Sequence, residues 1–275
     1  METLAYDLAT PYPVTAEHCS HFHRDGHILL RGVASQEEIE HVHPLITGIL
    51  AAHARTRTVW VAPDESAPLL EYASNLWQKS EELKAFIFAG RFARIAAELM
   101  GVRGVRLYHD EALVKEPGSS ATPWHKDHYN WPLATPHTIK MWIALSDIRM
   151  DMAPLRFATG THRAAQFPEV CPSYEADELF ERIIREHNIP VVGYSMKAGD
   201  ASFHSGAILH STLENNSEDS RQAIAVTYFA DGTRVLAPDH ENRQADLAEF
   251  LPGLMPGDLA ASDLNPLLFS FGEGV

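Results

Sequence analysis

Four residues carry the chemistry that this sequence makes legible. His125 and Asp127 stand one residue apart in the stretch Pro-Trp-His-Lys-Asp-His at 123–128. On a strand, positions i and i+2 point to one face, so the two side chains can reach a single ion. A neutral imidazole with a carboxylate suits Fe(II), which favours two histidines and one carboxylate with open positions left for other ligands. By itself a His-x-Asp pair is usually just two polar neighbours. The second half of the chain adds to it: "GDASFHSGAILHSTLENN" places His210 in a strand–turn setting, and Arg221 follows at the start of a new strand. Arginine is the side chain that grips a carboxylate with two parallel hydrogen bonds. A metal triad beside an arginine is what a 2-oxo dicarboxylic acid requires, with its ketoacid end on the metal and its far carboxylate on a buried cation.

The elements that must position these residues fall into two halves. The first hundred residues read mainly as helix. "TAEHCSHFHRDG" begins on a Thr cap and stops at Gly26. "HILLRGV" is a short strand. Ser35 and Glu38 form a capping box, followed by Ile39, Val42, Leu45, Ile46 and Ile49 at helical spacing. "SEELKAFIFAGRFARIAAELMG" gives one or two further helices ending at Gly101. From about residue 103 strands take over. In "HTIKMWIALSDI", Ile139, Met141, Ile143 and Leu145 alternate with Thr138, Lys140, Trp142 and Ala144. "VRLYHDEALVKEPG", "PLRFATGTH", "VVGYSM", "DASFHSG" and "RQAIAVTYFADG" are further strands, and "ADELFERIIREHN" is a helix between them. From Pro238 the chain reads as loop and short helix. The expected class is mainly β with flanking helices, a sandwich or barrel.

Composition narrows the partners. The chain has 275 residues, 45% of them hydrophobic, and a formal net charge of −15. Such a field repels phosphate backbones, so nucleic acid is not an expected partner. Cys19 and Cys171 are the two cysteines, too few for a disulfide scaffold or a cysteine-rich zinc site. They fit a reducing, cytoplasmic setting. The first residues carry acids and prolines rather than the apolar run of a secretory signal, and no stretch approaches the length needed to span a membrane.

His-x-Asp followed by the ordered segment "GD…FH…HST…N…R" resembles the phytanoyl-CoA dioxygenase family of Fe(II)/2-oxoglutarate oxygenases. The resemblance runs from about Asp25 to about Gly232. It implies a double-stranded β-helix (a cupin-like jelly roll) in a single domain over 1–275. Within it the helical part covers about 1–102 and the β-helix core about 103–235, with a C-terminal extension beyond. It implies His125, Asp127 and His210 as iron ligands and Arg221 on the distal carboxylate of 2-oxoglutarate, with O2 as cosubstrate. The sequence departs from the family pattern at "DMAPLRF", where a Gly usually precedes Pro-Leu, and at "ATGTH", which replaces "PGSH". Ala223 stands where many relatives carry a hydroxyl, and Thr212 is the substitute hydrogen-bonding group.

Position matching makes Tyr108 and Trp131 walls of the cosubstrate or substrate site. Lys140 and Trp142 share a strand face. Lys140 either lines the cavity, where it needs an anionic partner, or faces solvent. His128 is a further substrate candidate, and His204 a structural neighbour of the site. Trp124 is expected in packing. His18, His21, His23, His41, His43 and His53, in the helical half, are expected at the surface.

The chemistry implied by the resemblance is oxidation of an unactivated C–H bond coupled to decarboxylation of 2-oxoglutarate. The outcome is hydroxylation or a radical epimerisation, desaturation or cyclisation. Halogenation is disfavoured, because a halide needs the coordination position that Asp127 fills. Relatives of this style tailor natural products such as polyketide or terpenoid antibiotics, and the aromatic residues near the site suit such a small molecule. A coenzyme A thioester is not expected, since no Lys/Arg cluster is evident for its phosphates. The competing reading keeps the fold as a cupin-like metal isomerase or small-molecule binder, and Arg221 discriminates, since neither needs the carboxylate clamp. Oligomeric state is not legible.

Overall fold

Residues 8–53, 55–57, 70–164 and 167–272 are described in a computed structural model of the chain. The N-terminal third supplies helices α1 (Ala16–Asp25), α2 (Gln36–His53), α3 (Glu81–Ile87) and α4 (Gly90–Met100). Local chemistry sets their ends. Thr15 Oγ1 accepts from the His18 amide, and Gly26, at φ 80°, ends α1 in the left-handed conformation that glycine adopts without steric cost. The Ser35–Glu38 capping box forms in both directions, Ser35 N to Glu38 Oε2 at 2.7 Å and Glu38 N to Ser35 Oγ at 3.1 Å. Glu38 also holds Arg91 at 2.9 Å, which ties α2 to α4.

The strands are β1 (His27–Leu30), β2 (Arg55–Arg57), β3 (Leu70–Ser74), β4 (Gly104–Lys115), β5 (Thr122–His125), β6 (Thr138–Ala144), β7 (Leu155–Ala158), β8 (Val191–Gly193), β9 (Ala201–Ser205), β10 (His210–Thr212), β11 (Arg221–Ala230) and β12 (Leu267–Ser270). They form a major sheet in the order β1-β9-β6-β11-β4-β3-β2, with β12 also on β4, and a minor sheet in the order β5-β10-β7-β8. Every pairing is antiparallel. This is the expected jelly roll. Two features go beyond the sequence reading: β2 and β3 lie in the half expected to be helical, and β12 lies in the C-terminal part expected to be loop and helix.

The alternation seen in β6 decides which residues meet the helices. Ile139, Met141 and Ile143, with Phe203, Ile224 and Val226 on neighbouring strands, pack with Val42 and Ile46 of α2 and Phe92 and Ile95 of α4. The other face carries Trp142, Ala144, Ala223 and Ala225, and it looks toward the minor sheet. Helix α5 (Tyr174–Glu186) covers the minor sheet through Phe180 and Ile184, which pack with Trp124 and Leu209. Helix α6 (Glu241–Phe250) adds Phe250 to a cluster with Tyr108, Trp131 and Phe229. Phe203 lies at the centre of the helix-covered layer and is fully buried. Phe203→Ala is expected to lower unfolding free energy by about 3–5 kcal/mol in urea denaturation. The half-exposed Leu213→Ser is expected to change it by less than about 0.5 kcal/mol.

Candidate metal centre

The pairing of β5 with β10 sets His210 opposite His125, and β7 sets Phe157 on its other side. The two imidazole rings stand 4.2 Å apart between centroids. Each ring is fixed in the same way. His125 Nδ1 lies 2.8 Å from the carbonyl of Pro123, and His210 Nδ1 lies 3.2 Å from that of Ile208. A carbonyl accepts only, so Nδ1 carries the proton in both rings and Nε2 keeps its lone pair. Burial first, then the neighbouring imidazole, pushes His125 down to about 3. Burial takes His210 down to about 4. Both rings are therefore neutral near pH 7, the state in which imidazole binds a metal.

Asp127 arrives differently from the sequence reading. His125 is the last residue of β5, and Asp127 opens a 3-10 turn over Asp127–Tyr129, so the pair does not share one strand face. The turn nonetheless brings the carboxylate to the histidines. Its Oδ1 is 3.8 Å from His125 Nε2 and its Oδ2 is 3.7 Å from His210 Nε2. Ligand atoms of His125, Asp127 and His210 all lie within 4.8 Å of one another, the one such cluster among the described residues. Burial opposes ionisation of Asp127 and is the largest single influence, but the Lys140 ammonium, 2.9 Å from Oδ2, together with His210, His204 and His125, holds the carboxyl well below the usual range. Two neutral imidazoles and one carboxylate are the donor set that suits Fe(II).

Of the two readings of Lys140, the inward one holds. Its ammonium lies between Asp127 and Glu111, the latter at 3.7 Å. Thr122, Glu111, Leu113, Trp142, Leu155, His204, Ser211, Thr212 and Arg221 join the triad and Lys140 around one cavity. Arg221 is 2% exposed. Its Nη1 donates to the Ala153 carbonyl at 2.9 Å, its plane lies 5.1 Å over Trp142, and its Nε makes no hydrogen bond. No carboxylate pairs with it among the described residues, and burial lowers its pKa to about 10, which leaves it charged at neutral pH. Thr212 Oγ1 accepts from the Thr122 amide at 3.2 Å.

Other expected residues lie elsewhere. Tyr108 and Trp131 are outside the cavity lining. Tyr108 is the extra residue of a β-bulge, between the pairs Thr227–His109 and Tyr228–Leu107. Its hydroxyl donates to Asp246 at 2.9 Å. Trp131 lies 5.8 Å from Lys140 Nζ and packs on Gly206, where a Cβ would collide with its ring. The His128 amide donates to the Gly206 carbonyl at 2.9 Å, and its ring is also outside the lining. His204 is a full member of the cavity wall, with Nε2 3.7 Å from Asp127 Oδ2. Glu111, Leu113, Thr122, Leu155 and Ser211 are wall residues that the sequence reading missed. Thr122 was within reach, being three residues before His125, but its register with Thr212 is a tertiary fact.

The fold and this donor set define a jelly-roll protein with a two-histidine, one-carboxylate centre beside a buried arginine. The chain belongs to the phytanoyl-CoA dioxygenase (PhyH) family, whose model matches residues 22–223. Similar solved structures include the non-haem alpha-ketoglutarate-dependent carbocyclase SnoK from nogalamycin biosynthesis. The TM-score is 0.78 at 23% identity, covering 94% of this chain and 99% of that one. The epimerase SnoN, in complex with Fe3+, alpha-ketoglutarate and nogalamycin RO, gives 0.77 at 23% identity over 92% and 98%. EctD from S. alaskensis with 2-oxoglutarate and 5-hydroxyectoine gives 0.69 at 19% over 84% and 81%. A curated relative, dioxygenase hkm4 of Aspergillus hancockii, is 26% identical over 117 residues, which cover 40% of this chain and 33% of that protein. The matched part thus spans about a third of that relative's length. No helix among the described residues is long and apolar enough to cross a membrane.

The geometry predicts which histidines bind a metal. His125→Ala and His210→Ala are each expected to abolish stoichiometric Co(II) binding in equilibrium dialysis. His204→Ala is expected to retain it, since His204 lies outside the 4.8 Å cluster.

Proposed function

We propose that this chain is a non-haem Fe(II)/2-oxoglutarate-dependent oxygenase. Its reaction is oxidation of an unactivated C–H bond of a small-molecule natural product, such as a polyketide or terpenoid antibiotic intermediate. We further propose that it works as one oxygenase domain in the cytoplasm. The observation that carries the reading is Arg221, a buried cation with no carboxylate partner among the described residues, opening into the same cavity as the triad. A buried charge needs a counter-charge, and a dicarboxylate reaching from the metal supplies one. A cupin-like isomerase or a simple binding protein has no use for that cation.

When bound, Fe(II) supplies the O2 activation that is coupled to loss of CO2 from 2-oxoglutarate. The residues of the chain divide the remaining work. His125 Nε2, His210 Nε2 and Asp127 are the residues that would hold the ion. Arg221 binds the distal carboxylate in its planar fork, and the Thr212 hydroxyl is the neighbouring hydrogen-bonding group. Trp142, Leu113 and Leu155 are the apolar part of the cavity lining and would exclude water from a bound cosubstrate, which would strengthen the charge pairing at Arg221. Lys140 keeps Asp127 ionised and oriented. The full triad, with Asp127 present, leaves no coordination position for a halide and supports C–H oxidation over halogenation.

The choice of substrate class is supported by the similar fold of a carbocyclase from nogalamycin biosynthesis and of an epimerase in complex with nogalamycin RO. The test is an anaerobic titration of apo-protein with Fe(II) and then 2-oxoglutarate, followed through the weak visible metal-to-ligand charge-transfer band. The band is expected in the unaltered protein. Arg221→Ala is expected to weaken 2-oxoglutarate binding roughly 10–100-fold, the loss of a charge-assisted bidentate contact. Absence of the band and of 2-oxoglutarate binding in the unaltered protein overturns the reading.

A further inference from the structure

The turn that delivers Asp127 is held from a part of the chain that the family match does not include. The matched region ends at residue 223, and α6 begins at Glu241. Two side chains at the start of α6 converge on one acceptor in the turn, the carbonyl of Tyr129. His240 Nε2 reaches it at 3.0 Å and Arg243 Nη2 at 3.1 Å. The donor role of His240 is forced by its other nitrogen. Nδ1 accepts the Arg243 amide at 3.2 Å as the N-cap of α6, so the ring proton must sit on Nε2. The His240 ring also stacks on the Tyr129 ring, 4.2 Å between centroids and 10° from parallel. Arg243 is 6% exposed, and Asp239 orients it at 2.7 Å.

These contacts hold the backbone of a short turn, whereas Lys140 holds the Asp127 carboxylate itself at 2.9 Å and Asn242 Nδ2 donates to Asn130 Oδ1 at 3.3 Å. Inside the turn, Asn130 N donates to the Asp127 carbonyl at 3.0 Å, so Tyr129 and Asp127 belong to the same hydrogen-bonded loop. On its opposite side the His128 amide donates to Gly206, in the segment that leads into His210. Helix α6 is itself fixed to the major sheet, through Tyr108 Oη donating to Asp246 and through Phe250 stacked on His109 at 4.5 Å.

We propose that His240 and Arg243 are positioning residues for the metal centre. By clamping the Tyr129 carbonyl they fix the Asp127 turn relative to His125 and His210, which sit on the minor sheet. The C-terminal segment is on this account part of the metal site. The proposal rests on Asp127 being a metal ligand and is independent of which cosubstrate the cavity takes.

The test uses the full chain and Co(II), whose visible spectrum reports ligand geometry without turnover. The variants are Arg243→Met, Arg243→Lys and His240→Asn; the last keeps an N-cap side chain too short to reach Tyr129. Thermal unfolding is measured beside each titration. Arg243→Met and His240→Asn are expected to weaken Co(II) binding about tenfold or more and to alter the d–d band, with an unfolding temperature close to that of the unaltered protein without metal. Arg243→Lys, which keeps a donor, is expected to recover most of the affinity. Folded variants with unaltered Co(II) affinity and spectrum overturn the proposal. So does a loss of affinity that tracks only a fall in the metal-free unfolding temperature. If the unaltered protein binds Co(II) but no 2-oxoglutarate, the oxygenase reading falls, and the Co(II) comparison still decides this proposal. If it binds no Co(II), the proposal is overturned.

Discussion

The antiparallel pairing of β5 with β10 is the constraint on which the site depends. It places His210 directly across from His125, and the carbonyls of Pro123 and Ile208 then turn both rings the same way. Side chains alternate along a strand, so a slip of one residue in this short pairing would send His210 to the opposite face. The loops at its ends are correspondingly braced. Lys115 Nζ donates to the carbonyls of Ser120 and Leu213, and Asn215 Nδ2 donates to those of Lys115 and Asp219. That brace also fixes where β11 begins, with Arg221 in register with Lys115.

The two sheets contribute different chemistry to the space between them. The minor sheet and the turn after it bring the three metal-ligand candidates. The major sheet brings the groups that act on charge: Arg221 from β11, Lys140 from β6, Glu111 from β4 and His204 from β9. Strands buried on both faces make this possible. The helices absorb one side of β6, β9 and β11 as an apolar layer, which frees the other side to carry buried polar groups. Those groups are tolerable because partners stand close by, as Asp127 does for Lys140.

Much of this was legible in the chain. The Thr15, Gly26 and Ser35–Glu38 signals are local, and they mark helix ends where the structure has them. His125, Asp127, His210 and Arg221 stand out in sequence by residue type and order, and the structure gathers all four around one cavity. What was not legible depends on tertiary pairing. Asp127 reads as a strand residue until its 3-10 turn is seen. Tyr108 and Trp131 read as site aromatics, but a bulge and the close approach of Gly206 send them into a separate cluster. The orientation of Lys140 stayed open because alternation in a strand covered on both sides does not say which face is the cavity. His240 and Arg243 carry no motif at all, and only the return of α6 to the Tyr129 carbonyl reveals them.

Arg221 has a consequence for how the protein persists in a cell. Holding a guanidinium away from water, with no carboxylate of the described chain to answer it, makes the folded state less stable than its packing alone would give. Any dicarboxylate that binds only the folded chain lessens that deficit, by an amount that grows with the logarithm of its concentration. Resistance to proteolysis follows the population of opened chains. If the cavity takes such an acid, the half-life of the protein would lengthen with the local supply of it, and abundance and readiness to act would rise and fall together.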